Sequence, residues 1–244
     1  MRKFYLQAGR SISLRYHCLY SQTWTRAPSF KTTAHLGGKV GHNSTVNCHQ
    51  KYSANILLAV KALQSLLTLG VRVRDNISTG SSTERLIAKE LRSYIKWSER
   101  DGGFEKLRFI PVLTFVAAKP GQSISSLSQD LTSQMEFLAE KNRHHLALPS
   151  PGLINEIGEV EMYIRPPPLL YGIIVAQAMT IIFTLDSADP DAIVKHLSHS
   201  QFTEKKMDVW NELSVAFTVI MARNYIMSIK DELEPDDEDP DPDA

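Results

Sequence analysis

The stretch Leu169–Leu185 (LLYGIIVAQAMTIIFTL) decides the architecture, because it carries no charge over 17 residues. Three structures suit so apolar a run: a membrane-spanning helix at its lower limit of length, a buried helix, or a pair of buried strands. Gln177 stands at its centre and Pro166-Pro167-Pro168 at its entrance. Seven of the fifteen residues from Tyr171 to Leu185 are β-branched, and two branches on Cβ favour the extended chain. The composition predicts two buried strands meeting near Gln177, although Ala176-Gln177-Ala178 lacks the usual turn residues.

Just before it, Glu159–Arg165 alternates Val160, Met162 and Ile164 with Glu159, Glu161 and Tyr163, the pattern of a half-exposed strand. Lys106–Ala117 (KLRFIPVLTFVA) is short, β-branched and aromatic. It predicts a strand, with Pro111 asking for an edge position or a bulge. Between these lie helical periodicities. Glu84–Arg100 follows the capping cluster Ser78–Thr83 and stops at Asp101-Gly102-Gly103, and Ile124–His145 follows the turn Pro120-Gly121. Asp189-Pro190 has the form of a helix start, opening a short helix to Ser198. Thr203–Glu232 predicts the longest helix, with Met207, Trp210, Leu213, Phe217, Val219, Ile220, Ile226 and Met227 on a broad apolar stripe and Trp210 expected to be buried. Ala54–Leu69 is also helical in pattern and should end at Gly70.

These elements predict an α+β fold: one domain over residues 75–230, with a small sheet packed by amphipathic helices and a long C-terminal helix. Residues 53–74 form a helix whose attachment the pattern leaves open. The flanks differ sharply in charge. From Met1 to Arg74 there are eleven Lys and Arg and no Asp or Glu. From Asp231 to Ala244 (DELEPDDEDPDPDA) there are nine acidic residues and no basic one. The net charge of zero therefore hides a polarised chain, while residues 75–230 hold 16 basic and 18 acidic residues.

Residues 1–52 read as a basic leader and linker. Arg-rich, Ser/Thr-rich and acid-free composition is that of a mitochondrial transit peptide, and a disordered basic arm on a cytoplasmic or nuclear protein is the alternative. No apolar run of secretory-signal length follows the first charges. Cys18 and Cys48 are the only cysteines, so disulfides do not hold the core. The tail 231–244 reads as solvated, with a basic protein as the partner it would attract. Nucleic acid is disfavoured as a partner because the central domain is slightly acidic.

Phosphate-loop, G-x-S-x-G, HExxH and paired C-x-x-C patterns are absent. His196 and His199, three apart, could share a helix face but lack a third ligand nearby. One constellation carries chemistry. Pro190-Asp191, twelve residues, then Glu204-Lys205-Lys206 resembles the P-D…(D/E)-x-K signature of restriction-endonuclease-like nucleases. The resemblance implies that Asp191 and Glu204 would hold Mg²⁺ while Lys206 orients the attacking water. Against it, Ala192–Ser198 reads as helix where that family has a strand.

The segment from Pro166 to Asn224 (PPPLLYGIIVAQ, TLDSADP, MDVWNELSVAF, ARN) also resembles segments of uncharacterised fungal proteins, a resemblance that implies no activity. The expected function is that of an intracellular binding or scaffold protein with no cofactor. The alternatives are the Mg²⁺-dependent nuclease and a protein anchored by one span at residues 169–185.

Overall fold

The computed structural model describes residues 44–149, 153–154 and 160–236, with side chains over 56–149 and 162–236. The transit-peptide reading of the leader and the far end of the acidic tail lie outside the described residues. The described chain is α+β. Helices α1 (Ser44–Leu67), α2 (Leu69–Thr79) and α3 (Thr83–Gly102) lead to strand β1 (Leu113–Ala117) and helix α4 (Ile124–Leu146). The two-residue strands β2 (Leu153–Ile154) and β3 (Val160–Glu161) follow, and then β4 (Leu169–Ala176), β5 (Met179–Asp186), β6 (Lys195–Gln201) and helix α5 (Asp208–Ser228).

The uncharged stretch is a β-hairpin. Strands β4 and β5 pair antiparallel from Leu169–Asp186 to Ala176–Met179, leaving Gln177-Ala178 as the turn. Neither a membrane-spanning nor a buried helix forms there. Among the described residues no single helix is long and apolar enough to cross a membrane. Gln177 takes the left-handed backbone at φ 53°, which an L-residue adopts at some cost. Thr83 at the start of α3 holds this turn by donating its hydroxyl to Gln177 O at 2.7 Å.

The main sheet has the order β1-β4-β5-β6, with β1 parallel to β4 and the other pairs antiparallel. Both faces of β4 are covered, which is why its residues read as one apolar run rather than an alternation. On one face α4 brings Leu127, Leu131 and Met135 against Leu170, Ile174 and Ala176. A side chain at Gly172 would collide with Met135 and Leu131, so the missing Cβ is what lets α4 approach. On the other face Ile173, Val175 and Ile182 meet Ile87, Leu91, Val215 and Val219 from α3 and α5. Leu66, Leu69 and Val73 of α1 and α2 are fully buried in that same cluster. The N-terminal helices therefore belong to the domain.

Several sequence expectations are corrected. Gly70 does not end a helix. The break is at Thr68, whose hydroxyl bonds back to Ser65 O, and the chain bends by 44° before continuing as α2. Gly70 lies in the first turn of α2, where a Cβ would strike Asp208 and Glu212 of α5. Lys106–Ala117 is extended strand only over Leu113–Ala117, and β1 is indeed an edge strand with Pro111 ahead of it. In the segment read as a half-exposed strand, Met162 and Ile164 point to solvent instead of inward. Asp189–Ser198 is a turn followed by β6, not a helix. A β-bulge opposite Ile182/Phe183 lies in that strand.

The largest correction concerns α5. Its buried residues are Asn211, Glu212, Val215, Ala216, Thr218, Val219, Ala222 and Ile226. Trp210 is 67% exposed and Phe217 57%. The helix has two apolar faces, and the larger side chains lie on the outer one.

Candidate functional site

The residues of the nuclease-like signature do not converge. Asp191 sits in the turn after β5, with its N–H bonded to Asp189 Oδ1 at 2.9 Å. Glu204 and Lys206 lie beyond Gln201, at the opposite end of β6. A seven-residue strand spans on the order of 20 Å, and that strand lies between the two carboxylates. Lys206 is exposed on a single 3₁₀ turn, Lys205–Met207. Among the described residues, no three His, Cys, Asp or Glu side chains group to hold a metal ion. His196 and His199 do share a face, but of a strand: the bulge restores the alternation that a spacing of three would break, and their rings stack at 5.9 Å.

The acidic tail begins by pairing within its own chain. Leu107 bridges to Pro235, Arg108 N–H donates to Glu234 O, and Asp236 N–H donates to Lys106 O. Glu232 pairs with Arg165, and Asp236 approaches Arg108 at 3.7 Å. Two of the carboxylates that composition alone would offer to a foreign partner, Glu232 and Asp236, are thus engaged within the chain.

An apolar cavity of about 320 Å³ lies beside β1, between α3 and the second half of α5. Its construction starts where α3 ends. Gly103 takes φ 68° and caps the helix, its N–H bonding to Arg100 O. That reversal, together with the bare Cα of Gly102, folds Phe104 back against the helix end. Phe104 then meets Phe109 edge to face at 5.3 Å. Ile95, Phe115, Val219 and Ile226 complete the apolar wall. Arg223 of α5 ties the two helices together, donating to Ser98 O at 3.2 Å and pairing with Asp101.

Its polar groups are mostly engaged. The Ser98 hydroxyl donates to Ile95 O at 2.7 Å, and Thr114 turns to Gln134 on α4. Glu99 is the remaining carboxyl. Burial raises its pKa and Glu105 raises it further, while Lys96 opposes them. The Arg92 guanidinium lies 5.2 Å from the Phe115 ring centre, flanking the site with a cation.

The edge of β1 borders this cavity. Tyr171 N–H donates to Val112 O, and Ala118 N–H donates to Val175 O. In a parallel ladder, groups facing the neighbour alternate with groups facing away. Val112, Thr114, Val116 and Ala118 are therefore turned to β4. The N–H and C=O groups of Leu113, Phe115 and Ala117 point outward along an edge that no strand among the described residues pairs with. From Pro111 the sequence allows an edge strand or a bulge, and the structure shows the edge; the aromatic residues at 104, 109 and 115 gave no sign that they would surround a cavity.

No protein-family model, curated protein or solved structure matches this chain.

Proposed function

We propose that the domain is a binding module which captures an extended apolar segment of a protein partner by strand addition to β1. The observation that carries this reading is the adjacency of three outward N–H/C=O pairs and an apolar cavity of small-ligand size. An unpaired strand edge supplies main-chain hydrogen bonds to any extended peptide, and the neighbouring pocket selects its side chains. The cavity would take an aliphatic or aromatic side chain. Glu99 at its wall would favour a donor on the segment beside it. This is the binding and scaffold class that the sequence suggests, given a definite surface.

The test uses a phage-displayed heptapeptide library panned on the full chain, with selected peptides measured by calorimetry. Peptides rich in β-branched and aromatic residues are expected. Ala117→Pro deletes one outward N–H without touching the ladder to β4, and should weaken these peptides at least tenfold while leaving far-UV circular dichroism unchanged. Peptides that bind the Ala117→Pro chain as tightly as the wild type would overturn the proposal.

A further inference from the structure

Helix α5 is apolar on both sides, and only one side is used by its own domain. The outer side carries Trp210, Leu213, Phe217, Ile220, Asn224 and Met227, at successive spacings of three, four, three, four and three. That is the 3.5-residue repeat of a helix seam meant to meet another helix. Trp210, Phe217 and Met227 are exposed, and Leu213 and Ile220 are half-buried. Val209 and Met221 widen the exposed band. Together these side chains offer on the order of 500 Å² of apolar surface, comparable with the largest patch a monomer tolerates and approaching one side of a stable interface.

We infer that this seam is the interface with a second copy of the chain, the two α5 helices packing antiparallel about a two-fold axis at Phe217. The complementarity is in the sequence of the seam itself. Trp210 and Asn224 each lie seven residues from Phe217, so the two-fold places them opposite each other twice. Asn224 is the one polar side chain in the seam, and its amide oxygen would accept the indole N–H of Trp210. Each thus supplies the partner that the other needs once water is excluded.

Charge does not oppose this pairing. Of the ionisable residues within α5, Arg223 is paired with Asp101, Asp208 with Arg74, and Glu212 is buried on the inner face. The positions adjoining the seam on one flank are Ser214, Met221 and Ser228. Lys206 at the front of the helix would come opposite Ser228, and antiparallel helix dipoles attract. A different protein, or the leader 1–42, would have to provide a matching register by other means.

Sedimentation equilibrium of the full chain tests the inference. A dimer in the micromolar range is expected, and Phe217→Glu should weaken it at least about 30-fold, as removal of a central aromatic anchor does, with unchanged circular dichroism. In a chain carrying Cys18→Ser and Cys48→Ser, Phe217→Cys should form an intermolecular disulfide under mild oxidation, because a residue on the axis meets itself. Trp210→Cys in the same background should not. A wild-type chain that stays monomeric overturns the inference, whether or not another occupant covers the seam. So does a dimer that survives Phe217→Glu, or one cross-linked by Trp210→Cys and not by Phe217→Cys.

Discussion

Glu212 shows how one residue ties distant parts of the chain together. It is fully buried on α5, and its Oε1 accepts the N–H of Gly70 at 2.9 Å. It thereby satisfies an orphan donor in the first turn of α2, where a negative charge is also favoured. Its second oxygen is buried without a partner. Burial is the main reason its pKa rises from 4.5 to about 7; the Gly70 hydrogen bond opposes the rise and the neighbouring Asp208 charge adds to it. Between those two values the folded chain holds a proton that the unfolded chain has released, so stability falls as pH rises through that window. Glu212→Gln keeps the acceptor and removes the charge. Relative to the wild type it should gain up to about 3 kcal/mol between pH 4.5 and 8, read from urea unfolding at several pH values. An unchanged difference between the two proteins across that range would show that Glu212 does not titrate there. Gly70→Ala pushes a methyl group against Asp208 and Glu212, and should cost about 1–3 kcal/mol in the same assay.

At the scale of elements, the β4–β5 hairpin forms against its turn chemistry. Both strands are buried between helical layers, and the gain from burying Ile173, Ile174, Val175 and Ile182 outweighs the left-handed conformation at Gln177. Gln177→Gly should relieve that conformation and raise stability by about 0.5–1 kcal/mol, seen as a higher Tm. The Thr83 bond to the Gln177 carbonyl does not depend on the side chain at 177 and should persist. Helix α3 illustrates the opposite case, where local signals and the fold agree. Ser82 accepts the N–H of Arg85 at the front, and Gly103 reverses the chain at the back. Both ends are readable in the sequence because capping needs only near neighbours. Helix α5 misleads a pattern reading for a physical reason. With apolar residues on both faces, periodicity does not say which face the domain buries, and it is Val215, Ala216 and Val219 that join Leu66, Ile87, Ile173 and Phe202 in the core, not Trp210 and Phe217.

For the whole molecule, α1 and α2 complete the core that α3, α5 and the sheet leave open. Leu66, Leu69 and Val73 are at most 1% exposed. A paired cation on α2 locks them down, Arg74 gripping Asp208 through two hydrogen bonds of 2.7 Å. That pairing holds the Asp208 carboxyl below its ordinary pKa range. Removing three such side chains forfeits about 6 kcal/mol or more of burial, a large share of the stability of any domain. A chain beginning at Asn43 should therefore unfold cooperatively like the full chain, whereas one beginning at Asp75 should lose its cooperative thermal transition. If the shorter chain unfolded with the same midpoint, α1 and α2 would be appendages.

The α+β class, the positions of α3 and α4 and the charge polarity of the two ends are legible in the sequence, and Pro111 narrows β1 to an edge strand or a bulged one. Those features rest on local periodicity, capping residues and composition, which neighbours along the chain express without the rest of the fold. Where the long-range partners fall is set by the packing of the folded chain. It placed Asp191 and Glu204 at opposite ends of a strand, turned Asp189–Ser198 from a helix into a turn and strand, and drew Asp236 and Glu232 onto Arg108 and Arg165. It also brought Phe104, Phe109 and Phe115 around one cavity. Each of these outcomes depends on contacts between residues far apart in the chain, and on which of two apolar faces the core has room to bury.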